Sequence, residues 1–412
     1  MNQQELIPHL FRTEYRKIAS VLCKWLGIEN METAEDLASE TFLAALETWS
    51  YHGVPPNPTA WLYTVAKNKT RNLLARDQLF REKIRKNLSQ TDVSEESNPI
   101  DLSEQNITDS QLQMLFAICH PSLPAESQIG LALRILCGFG IEEIAIAFLS
   151  NKETINKRLT RAREKLRTEQ VKIEFPGPGE VAKRLESVLT TLYLLFSEGY
   201  YSEIDDNVMR EELCLEAMRL TFLLIDNPQT NLPAVNALFS LMCFHSSRFE
   251  ARKGDAGEII LYDDQDESKW NQELIARGAY HLSQAASGNA FTKYHLEAGI
   301  AYWHTQKADT RDKWEAILHF YNQLLQLEYS PIAALNRTYA LSKVKGKEVA
   351  IVEARRLNLA TNPFYFLLLG ELYNGINDQQ AKQYFQSAIS LTKSVAARQV
   401  LEMKIKRLDV DR

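Results

Sequence analysis

Nowhere in this chain do cysteines stand close enough together to clamp a metal or form a redox pair. The five that occur, Cys23, Cys119, Cys137, Cys214 and Cys243, are dispersed, with no C-x-x-C. That excludes a disulfide-stapled secreted scaffold and the common zinc modules, and fits free, buried thiols in a reducing cytoplasm. Cys243 and His245 would be half a metal site, but partners for them are missing, so they are read as core. Long apolar runs are also absent; stretches such as Phe364 to Leu369 fall far short of a membrane span. The first ten residues carry Glu5 and no basic n-region, so no secretory leader is expected. Extended β-branched alternation is scarce, which argues against sheets. No P-loop, zinc signature or nucleophile elbow occurs, so an enzyme is not expected.

What is present is ordinary in bulk and uneven in distribution. A chain of 412 residues with 45% apolar and 24% charged content is expected to fold into two to four units. The net charge of −6 argues against a globally basic nucleic-acid binder, yet two local patches are basic. Lys67 to Lys86 holds eight basic residues against Asp77 and Glu82, and Lys152 to Arg167 holds seven against Glu153 and Glu164. Apolar residues recur at steps of three and four almost throughout, so the fold class is all-α. Two stretches interrupt this pattern. Asn87 to Ser110 is rich in Ser, Asn, Asp and Glu, has no Lys or Arg, and reads as an acidic flexible linker. Phe175-Pro176-Gly177-Pro178-Gly179 concentrates helix breakers and marks a second boundary. The expected blocks are 1–86, 111–172 and 180–412, with 87–110 as the linker.

The sharpest local signal lies in the second patch. Ile141 to Leu149 is a short apolar-rich helix after Gly138 and Gly140, and Ser150-Asn151-Lys152-Glu153 has the form of a capping box. In the helix that follows, Ile155, Leu159, Ala162 and Leu166 share one buried stripe. Thr154, Lys157, Arg158, Arg161 and Lys165 fall on the opposite side. A short helix, a tight turn and a helix with one apolar and one basic face make a helix-turn-helix, whose cations can pair phosphates and reach base edges.

The first patch has a different chemistry. In the helix starting near Pro58, Thr64, Lys67, Asn68 and Arg71 cluster on one face with Trp61 at its edge, behind a proline-stiffened loop from Tyr51 to Pro58. Basic residues beside an aromatic suit unstacked single strands, because bases stack on rings while cations hold the backbone. A third feature is acidic: Asp36, Glu40 and Glu47 share a stripe of the helix whose apolar side is Ala38, Phe42, Ala45, Leu46 and Trp49. Such a stripe cannot face phosphates and needs solvent or a basic protein partner.

These features, in this order, resemble the sigma-70 family, specifically its compact extracytoplasmic-function (ECF) group. Ala34-Glu35-Asp36-Leu37-Ala38-Ser39-Glu40-Thr41-Phe42-Leu43 is similar to the region 2 helix that docks on the polymerase clamp. Asn57-Pro58-Thr59-Ala60-Trp61-Leu62 through Arg71 resembles the segment that melts and reads the −10 element. Leu123-Pro124 through Arg167 resembles region 4, which reads the −35 element as duplex. The resemblance implies RNA polymerase core enzyme and promoter DNA as partners, and no cofactor. Asp36, Glu40, Phe42 and Glu47 are the candidates for core-polymerase contact. Asn57, Trp61, Thr64, Lys67, Asn68 and Arg71 are those for the −10 strand. Lys152, Thr154, Asn156, Lys157, Arg158, Arg161 and Lys165 are those for the −35 duplex. One departure stands out: many relatives have Asp at the position of Asn72 followed by paired basic residues, and here Arg76-Asp77 replaces that pair.

The last block carries a loose tetratricopeptide (TPR) signature. Leu369-Gly370, Tyr373, Phe385 and Ala388 approximate its L-G-x-x-Y and F-x-x-A positions, and Leu335-Asn336 with Tyr339 is a weaker copy. Leu194 to Tyr200, Asp263-Asp264-Gln265-Asp266 with Trp270, and Ser330-Pro331 with Ala334 to Arg337 resemble the ECF subgroup that has a large TPR-like C-terminal extension. The resemblance implies a regulatory role for this block, and grooves of such arrays take a peptide or protein partner. The acidic run Asp263 to Glu267 does not have EF-hand spacing and is read as an acidic loop, with no metal expected. The competing reading is a conventional helix-turn-helix regulator with a TPR-type sensor; it leaves the acidic stripe and the Trp61 segment without a role.

Overall fold

In the computed structural model, residues 3–85, 100–177, 179–200, 207–252, 260, 262–288, 291–392 and 395–410 are described. Among them every regular element is helical and no strand occurs, as the periodicity requires. The chain divides into two compact units, residues 1–230 and 231–412.

The first unit opens with α1 (Gln3–Leu26), α2 (Met31–His52) and α3 (Pro58–Arg85). Tyr15, Ile18, Ala19 and Leu22 form the fully buried stripe of α1. It packs on the stripe of α2 that contains Ala34, Ala38, Phe42 and Ala45. Gly27 and Gly53, both with positive φ, turn the chain after α1 and α2. Asn57 opens α3, its Oδ1 accepting from the Ala60 N–H at 2.9 Å ahead of a proline at the first helical position.

Then follow α4 (Glu104–Ile118), α5 (Ala125–Leu131), which runs into a π turn over Ala132–Leu136, α6 (Ile141–Ala147) and α7 (Lys152–Thr168). Residues 87–99 of the expected linker lie outside the described residues, and its last part is not a linker. Ser103 caps α4 by accepting from the Asn106 N–H, and Ile107 and Ser110 are buried. A serine cap followed by an apolar step of four offsets the polar composition that masked this helix. The cap of α7 also differs from expectation by one residue. Asn151 Oδ1, not Ser150, accepts from Thr154 N–H at 2.8 Å, while the Glu153 carboxylate is taken by Lys157 at 2.6 Å.

Two further helices, α8 (Val181–Tyr200) and α9 (Asn207–Asp226), belong to this first unit, so the compact division falls after Thr230 and not at the Pro-Gly stretch. The reason is packing. Phe175 sits edge-on to Phe116 of α4, with ring centroids 5.3 Å apart. Leu185, Val188, Leu192 and Leu195 give α8 a buried stripe at steps of three and four, and α8 lies against α4 and α5. Arg184 donates to Phe116 O at 2.6 Å and Thr191 to Gln128 Oε1 at 2.5 Å. From α9, Arg219 reaches Leu136 O at 2.6 Å, and Glu212 and Glu216 pair with Arg12 and Arg16 of α1.

The second unit is a succession of helices: α10 (Pro233–Ser246), α11 (Gln272–Ala285), α12 (Lys293–Trp303), α13 (Arg311–Leu327), α14 (Pro331–Lys345), α15 (Lys347–Leu357), α16 (Pro363–Tyr373), α17 (Asp378–Leu391) and α18 (Val395–Val410). Each packs on the next, and α10 and α14 also touch α12 and α16. A recurrent device sets the close approaches. The ring of Phe385 on α17 covers Gly370 on α16, where an added Cβ would lie 2.4 Å from it, and Phe320 on α13 covers Gly299 on α12 in the same way. Gly278 on α11 meets Phe244 of α10. Tyr373 and Ala388 are buried beside the Gly370 contact, so the residues picked out by the repeat signature are those that join one helix to its neighbour.

Gly370→Ala is therefore expected to cost about 1–3 kcal/mol through overpacking, since Phe385 is buried and its ring has nowhere to swing. Thermal and urea unfolding of the full chain would check this; an unchanged midpoint would contradict it.

Candidate nucleic-acid interface

The described residues of the two basic patches lie on α3 and α7 of the first unit. On α3, Asn57, Thr64, Asn68 and Arg71 are exposed, with Trp61 and Lys67 half-buried between them. Trp61 packs edge-on to the buried Trp49 of α2 at 5.3 Å between ring centroids, which braces one side of its indole. Tyr63 ties the opposite side of α3 to α1 by donating to Glu14 Oε2 at 2.6 Å, and burial followed by that carboxylate pushes its phenol pKa upward. All six residues expected for a single strand thus lie along one helix and the turn ahead of it. Asn57 has its Oδ1 engaged in capping α3.

On α7, Lys152, Thr154, Asn156, Lys157, Arg161 and Lys165 are exposed. Three of these cations hold surface carboxylates: Lys152 with Glu142 at 2.7 Å, Lys157 with Glu153 at 2.6 Å and Lys165 with Glu169 at 2.7 Å. Exposed pairs of this kind are worth at most about 1 kcal/mol, so phosphates can displace them. Arg161 has no ion pair among the described residues. Arg158 differs from the rest of the set. It is half-buried, paired with Glu126 of α5 at 2.8 Å and stacked over Phe148 at 5.1 Å, so it braces the turn between α6 and α7.

The acidic stripe of α2 is exposed at Asp36, Glu40 and Glu47, with Glu40 bridged to Lys69 of α3 at 2.9 Å. Phe42 does not belong with them. It is 3% exposed and packed against Phe11 and Tyr15, so the structure makes it a core residue. The apolar side chain that does accompany the carboxylates is Leu43, 56% exposed, with Leu46 beside it. The sequence held the signal, since Leu43 follows Asp36 by seven and Glu40 by three, which places all three on one stripe.

Sequence reasoning also missed what lies behind these faces. Glu35 of α2, 4% exposed, accepts from Arg134 Nε at 2.7 Å on one oxygen and from Arg163 Nη2 at 2.5 Å on the other. Arg163 also reaches Glu32 at 3.7 Å, Arg134 donates to Phe139 O at 3.2 Å, and Arg167 donates to Glu29 O at 3.1 Å. The inner side of α7 is thereby fastened to the start of α2. Its only signal in sequence was that Arg163 follows Leu159 by four and so falls on the buried stripe.

Residues 10–79, which hold both the acidic stripe and the α3 set, match the Sigma-70 region 2 family. The N-terminal part of the chain carries a Sigma-70 region 2 domain. Residues 184–286 match a family of unknown function, DUF6596. Along most of its length the chain is similar to "Uncharacterized protein R00370" of Rhizobium meliloti (strain 1021), 31% identical over 387 residues, which is 92% of this chain and 90% of that protein. It is also similar to "RNA polymerase sigma factor YlaC" of Bacillus subtilis (strain 168), 28% identical over 173 residues, covering 42% of this chain and 96% of that one. No solved structure matches.

Glu35→Ala leaves the buried Arg163 with only the more distant Glu32 and the half-buried Arg134 with only Phe139 O, and is expected to cost about 3 kcal/mol. Glu40→Ala, which breaks only the exposed pair with Lys69, should cost at most about 1 kcal/mol. Urea titrations of both variants check the contrast, and equal losses would contradict it.

Proposed function

We propose that this protein is a sigma factor of the ECF group that binds core RNA polymerase, directs promoter-specific initiation and is controlled in cis by a TPR-like C-terminal array. The observation that carries the reading is the match of residues 10–79 to region 2 together with a second, separate basic helix face on α7. In this reading α6 and α7 are the helix-turn-helix of region 4, and exposed Lys152, Thr154, Asn156, Lys157, Arg161 and Lys165 meet the −35 duplex. Arg158 would then act by holding α7 at its angle. Asn57, Trp61, Thr64, Lys67, Asn68 and Arg71 take the −10 strand, where stacking of extruded bases offsets the energy lost on opening the duplex. Asp36, Glu40, Glu47 and Leu43 form the dock for a basic protein surface, with a leucine contact inside a charged rim. The protein works by recruitment, with no bond-making step, in the cytoplasm; among the described residues no helix is long and apolar enough to cross a membrane.

The two DNA elements are named for positions about 25 base pairs apart, on the order of 85 Å of duplex at 3.4 Å per pair. A compact unit of 230 residues has a radius of gyration of about 17 Å and is on the order of 45 Å across. Both faces cannot reach their elements while α7 is fastened to α2, so engagement with polymerase opens the Glu35 contact. Dyes on Ser50→Cys and Lys172→Cys, both exposed positions in a chain whose five native thiols are buried, should move apart when core enzyme is added. An unchanged distance in an initiating complex would rule the opening out.

Run-off transcription with purified core enzyme tests the function itself. Arg161→Ala should lose about 1–3 kcal/mol of promoter binding if it reads a base, and Leu43→Glu should lose polymerase affinity without loss of stability. A chain ending at Thr230 should differ from the full chain in initiation rate. Promoter-specific duplex binding without core enzyme would instead identify a conventional regulator.

A further inference from the structure

Two helices without an assigned role, α8 and α9, bridge parts of the first unit that initiation has to separate. From Arg184 onward they lie in the segment matched by the family of unknown function. On one side they are held by apolar packing. The buried stripe of α8 lies against α4 and α5. Leu213, Ala217, Leu220 and Leu224 give α9 a fully buried stripe at steps of four, three and four, and α9 packs on α8.

Toward α1, inside the region 2 match, the grip of α9 is ionic. Glu212, Glu216 and Arg219 stand four and three residues apart, so they share one charged stripe of the helix. Glu212 pairs with Arg12 and Glu216 with Arg16, two arginines themselves four residues apart on α1. The two ridges therefore meet in register with opposite charge. The Arg12 side chain is 59% exposed, whereas those of Arg16 and Glu216 are 14% and 18% exposed, so the inner pair is the less screened by salt.

The same stripe reaches across a seam. Glu216 also accepts from Arg219 Nε at 2.7 Å, and Arg219 donates onward to Leu136 O at 2.6 Å in the π turn and to Gln111 Oε1 of α4 at 3.5 Å. Because α1 itself lies against α4 and the π turn, the relay Arg16, Glu216, Arg219, Leu136 O spans the joint between them. The two attachments differ in kind. Pulling α9 from α8 would expose a leucine stripe to water, while parting it from α1 exchanges ion pairs for hydration at much smaller cost.

We propose that α8 and α9 form a strap that stays with α4 and α5 and restrains opening of the first unit by holding α1. Its consequence for initiation rests on the sigma-factor reading; its grip on α1 is a property of the free chain.

The full chain with dyes on Ser50→Cys and Lys172→Cys tests both. Glu212→Lys turns the more exposed pair into a repulsion, and adding Arg12→Glu restores an opposite pair. In the free chain, Glu212→Lys combined with Glu35→Ala should lengthen the mean dye separation beyond that of Glu35→Ala alone, and Arg12→Glu should reverse the gain. With Glu35 intact, the concentration of core enzyme that gives half of the opening should fall about threefold in Glu212→Lys and recover with Arg12→Glu. Should the Glu35 variant not fold, the core-enzyme titration alone decides. No difference between Glu212→Lys and its parent, or a difference that Arg12→Glu does not reverse, overturns the strap. A free chain that responds as expected but never opens with core enzyme overturns the sigma-factor reading and leaves the strap in place.

Discussion

One carboxylate organises the first unit. Glu35 has two oxygens and gives one to Arg134, in the π turn before α6, and the other to Arg163, on α7. Three segments far apart in sequence meet at a single buried carboxylate, which supplies the nearest counter-charge to the buried Arg163 and to the half-buried Arg134. Hydrophobic stripes decide that α1, α2, α4 and α7 pack, but apolar contacts alone permit a helix to rotate or slide by a fraction of a turn. A two-sided ionic contact with hydrogen-bond geometry does not. It fixes the rotation of α7, and with that fixes which cations look outward.

That rotation explains why one basic helix has two unlike faces. Arg158 and Arg163 are drawn sideways or inward, to Glu126 and Glu35, and the exposed Arg167 bends to Glu29 O, whereas Lys152, Lys157, Arg161 and Lys165 point outward at the surface. The division follows chemistry as well as spacing. A guanidinium can hold a carboxylate or a backbone oxygen in a confined place with directed bonds, while the strongly hydrated lysine ammonium stays in water. The net charge of −6 carries no information on this point. What matters for an anionic partner is a local face with few competing carboxylates, and the few present are held only by exposed pairs.

Much of this was legible from periodicity. The stripe Ile155, Leu159, Ala162 and Leu166 is buried as expected, the α3 set is on one face, and the all-α class follows from steps of three and four. Errors arose where two physical roles share a residue type. Phe42 belongs both to the apolar side of α2 and to a motif of a docking helix, and burial between Phe11 and Tyr15 decides for the core. Arg158 has the spacing of a DNA contact, but a carboxylate on α5 and the ring of Phe148 bring it inward. The start of α4 was hidden by polar composition, because a helix whose buried residues include Ser110 and Gln111 looks like a linker until its cap is seen. Long-range pairs such as Glu35 with Arg163 leave almost no local trace, since nothing in the spacing of one helix names its partner on another.

The segment matched by the family of unknown function shows where sequence families and compact units part. It begins within α8 and ends at the close of α11, so it crosses the division at Thr230. Its first two helices cannot be an independent domain. The stripe of Leu185, Val188, Leu192 and Leu195 finds its cover on α4 and α5, and α9 supplies Glu212 and Glu216 to the arginines of α1. Removing everything beyond the Pro-Gly stretch would uncover that stripe and strip two counter-ions from α1, leaving a fragment whose inactivity would say nothing about control. The helices α8 and α9 are thus part of the same body as the two basic faces.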